Sequence, residues 1–285
     1  MQVWGKRFGV VEGRACAEAS ALPVLWAPPQ ASVAQRLGVS LDGVMVNIRH
    51  EGWKETKMAC VFAIQMQPTV DKQTGETLNL ARAVDTTYVA HLGGPDQIGA
   101  AAWAEAQRRQ WTQARATFVI GDGAHRIWNQ AALHFGDSQQ LIDWYHAKTH
   151  LVDAARLLKG ADTPAFRRWL KANETHLFQG HADAIANQLL AAAPANPQLA
   201  DDLTTAAAYF RDNHHRMQYL EMRELEWPLG SGVVESGAKQ YKQRLCGPGM
   251  RWSRSGAQHI LNIRSAILSD RFDQLWTNAF ALPQN

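Results

Sequence analysis

A change of texture near residue 145 limits the fold of this chain more than any other feature of the sequence. Before it, strand and helix signals alternate; after it, from Tyr145 to about Tyr219, only helical periods occur, in AKTHLVDAARLLKG, TPAFRRWLKANETHLF, HADAIANQLLAAA and PQLADDLTTAAAYFRDNHHRMQYL. In the first part, VSLDGVMVNIRH and WKETKMACVFAIQ are rich in β-branched residues and alternate in part, with HEG between them as a hairpin turn. QPTVDKQTGETLN reads as a surface loop and ARAVDTTYVAHLG as a third strand. PDQIGAAAWAEAQRRQ opens with proline and a carboxylate, as a helix does. ATFVIGD is a short apolar strand of the buried kind, GAHRIWNQAALHF the next helix and QQLIDW another buried strand. This order predicts an α/β fold, a mixed sheet with helices on its faces, interrupted by an all-helical insertion.

Beyond the insertion, a helix is expected from Glu235, CGPGM breaks it, and SRSGAQHILNIRSAILSDRFDQLWTNAF supplies one or two closing helices, capped by Ser253 or Ser255. At the other end LPVLWAPPQ, with three prolines, is an extended connector. The boundaries fall at 1–37, 38–144, 145–220 and 221–285.

Several classes are disfavoured by composition. No run of 18 uncharged apolar residues and no apolar leader occurs, so neither a membrane span nor secretion is expected. Cys16, Cys60 and Cys246 lie far apart with no Cys-x-x-Cys pair, which suits a reducing cytoplasm and indicates no cysteine zinc site. The net charge of +3 is modest, but seven Lys or Arg against two acids lie between Glu235 and Arg271.

Three acids stand where an acid is costly unless it has a task. Asp42 interrupts the apolar VSLDGVMV, Asp122 ends FVIGDG between two glycines, and Glu235 lies at a helix start. Singly, each has a structural explanation: a turn at Asp42, a cap at Asp122, a helix-dipole contact at Glu235. A carboxylate at a strand's carboxyl end beside glycine also fits a ligand site in an α/β sheet.

Taken together, VSLDG, VIGDGAHRIWN, LIDWYHAKTHL and SGVVESGAKQ followed by GMRWSRSGAQHIL resemble the motifs of bacterial insertion-sequence transposases of the DDE group, the ISKra type in particular. The resemblance implies an RNase H-like core over 38–144 and 221–285, with residues 1–37 as the remnant of an N-terminal DNA-binding region and its linker. It implies catalysis by Asp42, Asp122 and Glu235 holding two Mg²⁺ or Mn²⁺ ions. It also implies DNA partners, namely terminal inverted repeats and target duplex, a homo-oligomer assembled on them, and a cytoplasmic, nucleoid-associated location. Hard divalent ions take oxygen ligands, and a pair about 3.5–4 Å apart can activate water and stabilise the leaving oxygen of a phosphodiester. On a helix, Lys239 and Lys242 share a face with Glu235, so these two, with Arg244, Arg251 and Arg254, are expected to hold DNA phosphates. The Cys-Gly-Pro-Gly turn at 246–249 is less basic than the family pattern.

Weaker signals remain. Asp143, His146 and His150 form D-x-x-H-x-x-x-H, which reads as a hydrogen-bonded junction; the resemblance makes Asp143 and His146 a second tier of site candidates, and His146 and His150 also have zinc-ligand spacing. His125, His214 and His215 carry less information. Trp128 and Trp144 are expected beneath the site, and Trp252 either in the core or stacked on an unpaired base. The rival functions are a non-catalytic DNA-binding protein derived from a transposase, an RNase H-like nuclease and a zinc hydrolase.

Overall fold

A computed structural model describes residues 36–70 and 75–281. The proline-rich connector, Cys16 and nearly all of the expected N-terminal remnant lie outside the described residues. Five strands form one mixed sheet in the order β3-β2-β1-β4-β5: β1 (Arg36–Ile48), β2 (Gly52–Val70), β3 (Thr77–His91), β4 (Ala116–Gly121) and β5 (Gln139–Ile142). The first three are antiparallel, while β4 runs parallel to β1 and β5 parallel to β4. The parallel joins need crossovers, and helices supply them: α1 (Pro95–Arg108) before β4 and α2 (His125–His134) before β5.

Helices alone follow β5 among the described residues: α3 (Trp144–Lys159), α4 (Pro164–Phe178), α5 (Ala182–Ala192), α6 (Ala200–Asn213) and α7 (Tyr219–Glu224), with short 3₁₀ turns. Then come α8 (Gly232–Leu245), α9 (Arg254–Leu268) and α10 (Phe272–Ala281). Ser253 is the residue that caps α9, accepting from the Gly256 N–H at 3.1 Å. The helical segment and the sheet share one apolar core, from Leu37 and Phe118 through Leu151 and Phe210 to Tyr241 and Leu261. Burial of this continuous surface holds the layers together.

The expected loop QPTVDKQTGETLN is largely strand. Residues Gln67–Val70 of β2 pair with Thr77–Leu80 of β3, beyond the point where β1 begins. The reason is positional: a ribbon with no sheet neighbour among the described residues is solvated on both faces, so it shows none of the apolar alternation by which a strand is usually recognised. Pro68 is tolerated because, among the described residues, β2 is an edge there.

Buried Glu105 of α1 anchors the last helices. Arg271 Nη1 reaches both of its carboxylate oxygens at 2.8 Å, and Arg108 lies at 3.2 Å. Gly237 brings α8 against β3, directly over the ring of Tyr88, whose hydroxyl donates to the Val233 carbonyl at 3.1 Å. This close approach sets the height of Glu235 over the sheet.

Candidate metal centre at the carboxyl ends of the parallel strands

The register explains how distant acids meet. Ser40 pairs with Ile120 and Gly121 with Ile142, so continuing those ladders by one or two residues brings Asp42, Asp122 and Asp143 into one row across β1, β4 and β5. The Asp143 N–H donates to the Gly121 carbonyl at 2.8 Å, which extends the ladder. Because side chains alternate, all three acids face the side on which α8 packs.

Glu235 enters from the first turn of α8. Its carboxylate joins Asp143 and His146 in a group whose ligand atoms all lie within 4.8 Å of one another, and this group could hold a metal ion. Asp143 is fully buried. Its Oδ1 caps α3 by accepting the His146 N–H at 2.9 Å, and its Oδ2 accepts the Ser231 N–H from the turn before α8. Burial favours the neutral acid, yet the bonds from His146 and Ser231 outweigh it and hold the carboxyl below its ordinary value. The imidazole moves the opposite way. The Asp143 carboxylate beside the ring raises the His146 pKa, burial opposes, and the charges of Asp122 and Glu235 add to the rise.

Asp42 and Asp122 lie outside that close group but share its field. Burial pushes the Asp42 carboxyl up; the Gly43 N–H, donating to Oδ1 at 2.6 Å, opposes this, and the negative charges of Asp122 and Glu235 raise it further. Asp122 Oδ1 accepts the Ala124 N–H at 2.8 Å, which fixes the turn into α2. Tyr209 of α6 reaches over Gly123. Its phenol is held well above the ordinary value by burial and then by Asp122 and Asp143, so the helical segment forms one wall of the site.

The basic residues divide. Lys239 and Lys242 are exposed and, with Glu235, follow one flank of α8, while Val234, Gly237, Tyr241 and Leu245 form its buried stripe. Arg244 is exposed but lies about 200° around the axis from Lys242, on the other flank. Arg251 is exposed. Arg254 is ion-paired to Glu51 at 2.6 Å, so its charge pins the β1–β2 turn. Trp252 is packed against the core, donates its indole N–H to the Leu245 carbonyl at 2.9 Å, and bridges to Ile48 through its backbone. Its ring is therefore committed to packing, the first of the two expectations for it.

His150 stacks on Tyr209 with centroids 3.7 Å apart and is not a member of the metal-capable group. The histidine pair therefore gives way to Asp143, His146 and Glu235, a set that spacing along the chain could not reveal because Glu235 comes from another element. Trp128 is buried with the Arg216 guanidinium 4.5 Å from its ring centroid, and Trp144 packs edge-on against Phe178 and Tyr219. Tyr209 gave no sequence signal, since an aromatic at helical spacing reads as core. No protein-family profile matches the chain, and no curated protein matches it.

Proposed function

We propose that this chain is the catalytic core of a DNA transposase with an RNase H-like fold, cleaving phosphodiesters and transferring the freed strand with two divalent ions. The observation that carries the reading is the register that aligns Asp42 with Asp122 at the ends of β1 and β4, with Glu235 in the first turn of α8, three acids from distant segments. Their donor chemistry fits Mg²⁺ or Mn²⁺, which prefer carboxylate oxygens, and the imidazole of His146 beside Glu235 makes Mn²⁺ a good match. When bound, such ions supply Lewis acidity and an acidified water.

The remaining work falls to the chain. Asp42, Asp122 and Glu235 supply the negative charge that gathers cations beside a polyanionic substrate. Asp143 holds Ser231 and His146, and so fixes the start of α8 relative to β5. His146, whose Nδ1 faces Asp143, would offer its other ring nitrogen to the ion or, as an N–H, to an anionic oxygen of the strand. Lys239 and Lys242 hold backbone phosphates along α8, a positioning role without base readout. The partners are duplex DNA bearing the element ends and target, held by a homo-oligomer. No helix among the described residues is long and apolar enough to cross a membrane.

The test compares the parent with Asp122→Asn on terminal-repeat DNA in Mn²⁺. The expected result is nicking and strand joining by the parent and a loss of about 10³-fold or more in the variant. Equal activity in both, or none in either, rejects the reading. Cleavage of RNA–DNA hybrids without strand joining would make the protein a nuclease instead.

A further inference from the structure

Strands β1 and β2 outlast the sheet. β1 leaves β4 after the Ser40 to Ile120 pair, and β2 meets β3 only from Lys57. From Gly43 to the turn at Ile48 and Gly52, the two strands pair with each other alone as strands, in a ribbon that rises directly beyond Asp42. Alternation gives the ribbon two faces. Val44, Val46, Ile48 and Thr56 are buried, with α8 packed along β1 and Trp252 bridged to Ile48. The other face carries Met45 opposite Glu55 and Asn47 opposite Trp53, and there Trp53 is 58% exposed.

An exposed tryptophan alone decides nothing, since single apolar side chains on surfaces are ordinary. The charges around it do. Both acids of the ribbon are neutralised, Glu51 by Arg254 at 2.6 Å, and Glu55 by Lys57 at 2.6 Å and Arg126 at 3.1 Å. Arg49 and the adjoining Arg251 have no carboxylate at ion-pair distance among the described residues, so the free charge at the tip is positive, while Lys54, opposite Val46, lies on the buried face within reach of the Glu51 charge. The tip is also fixed: the Arg49 N–H donates to the Trp252 carbonyl at 2.8 Å, and Arg49 Nε to the Arg251 carbonyl at 3.2 Å. An accessible indole on a rigid support, surrounded by unpaired cations, has the chemistry that stacks on a base and holds the neighbouring phosphates.

We propose that the solvent face of this ribbon is a nucleic-acid contact, with Trp53 stacking on an unpaired base near a DNA end and Arg49 at the tip holding the adjacent backbone. The proposal rests on the reading of the site as a DNA-processing centre, and it carries the DNA path past the ribbon to the face opposite Asp42. It assigns to Trp53 the stacking role that the packed ring of Trp252 cannot take.

The experiment uses the full chain and a labelled duplex of fixed sequence, blunt or with a single-stranded 3′ overhang, in fluorescence anisotropy titrations. Trp53→Ala is expected to weaken binding of the overhang duplex about tenfold and to leave the blunt duplex nearly unchanged, while Trp53→Phe keeps most of the affinity. Arg49→Ala is expected to weaken both and to lower the salt slope by about 0.9. Unchanged overhang binding by Trp53→Ala, with or without a change in oligomeric state, overturns the proposal; a change would make the ribbon an interface between copies. Trp53-dependent binding in a parent that cleaves nothing would remove the transposase reading and leave this contact standing. Cleavage with Trp53-independent binding would do the reverse.

Discussion

His146 donates its backbone N–H to Asp143 Oδ1 at 2.9 Å while its ring Nδ1 stands 3.6 Å from the same oxygen. One buried carboxylate thus caps a helix and orients an imidazole, and its second oxygen ties down the turn that delivers Glu235. Helix α3, helix α8 and the site are coupled through a single side chain.

Removing that side chain should therefore be expensive. Asp143→Ala loses the cap of α3, about 1 kcal/mol, and leaves the Ser231 N–H without its acceptor, about 1–3 kcal/mol more, for a total near 2–4 kcal/mol in urea unfolding. Asp143→Asn keeps one amide oxygen for the cap and should lose less. Equal, small losses would mean that the carboxylate does not organise the junction.

The imidazole gives a pH signature. His146 has a folded pKa above its ordinary 6.5, chiefly through the Asp143 carboxylate beside its ring. Its contribution to stability is then complete below about 6.5 and disappears as pH rises through the folded value. An NMR titration of the His146 ring should show the raised midpoint, and Asp143→Asn should bring it back towards the ordinary value. Mn²⁺ binding to the Asp143, His146 and Glu235 group should displace the proton and strengthen as pH rises. An affinity independent of pH would exclude His146 as a ligand.

Much of this was legible beforehand because it depends on local periodicity. The strand carrying Asp42, the buried strand ending at Asp122 and the helical run after β5 each declare themselves within a dozen residues. What escaped depends on partners. The long β2–β3 ribbon has no buried face to impose alternation. Asp143, His146 and Glu235 meet only because Gly237 lets α8 settle on Tyr88. Trp252 and Trp53 are equivalent as letters, and only tertiary contacts send one into packing and the other into solvent.

The approach at Gly237 can be tested by sign. Alanine in place of glycine within a helix ordinarily stabilises it by about 1 kcal/mol. Here an added methyl meets the buried Tyr88 ring, so Gly237→Ala should destabilise by about 1–3 kcal/mol and weaken Mn²⁺ binding by displacing Glu235. Trimming the ring with Tyr88→Ala should restore part of the Mn²⁺ affinity in the double variant. A stabilised Gly237→Ala would show that α8 has room to spare.

Lys239 and Lys242 should act through phosphates. Replacing both with alanine is expected to reduce the log–log salt slope of end-DNA binding by about 1.8 and to leave base preference unchanged, since each phosphate contact contributes about 0.9. Arg244→Ala, on the other flank of α8, should leave the slope as it is. A slope unaffected by the double change would take the DNA off this flank.

Asp42 supplies the most direct measure of whether the acids share cations. Its folded pKa is raised above 3.8, first by burial and then by Asp122 and Glu235. A raised carboxyl favours folding only while it is protonated: the benefit is complete below about 3.8 and lost as pH climbs through the folded value, so at neutral pH the ionised group strains the metal-free protein. Asp42→Asn should accordingly raise the thermal midpoint without metal at pH 7. In the parent, Mn²⁺ at a hundred times its dissociation constant should add about 2.7 kcal/mol of stability, and most of that gain should vanish in Asp42→Asn. If Mn²⁺ stabilises both proteins equally, the ion is held by Asp143, His146 and Glu235 without Asp42, and the two-ion reading loses its first ligand.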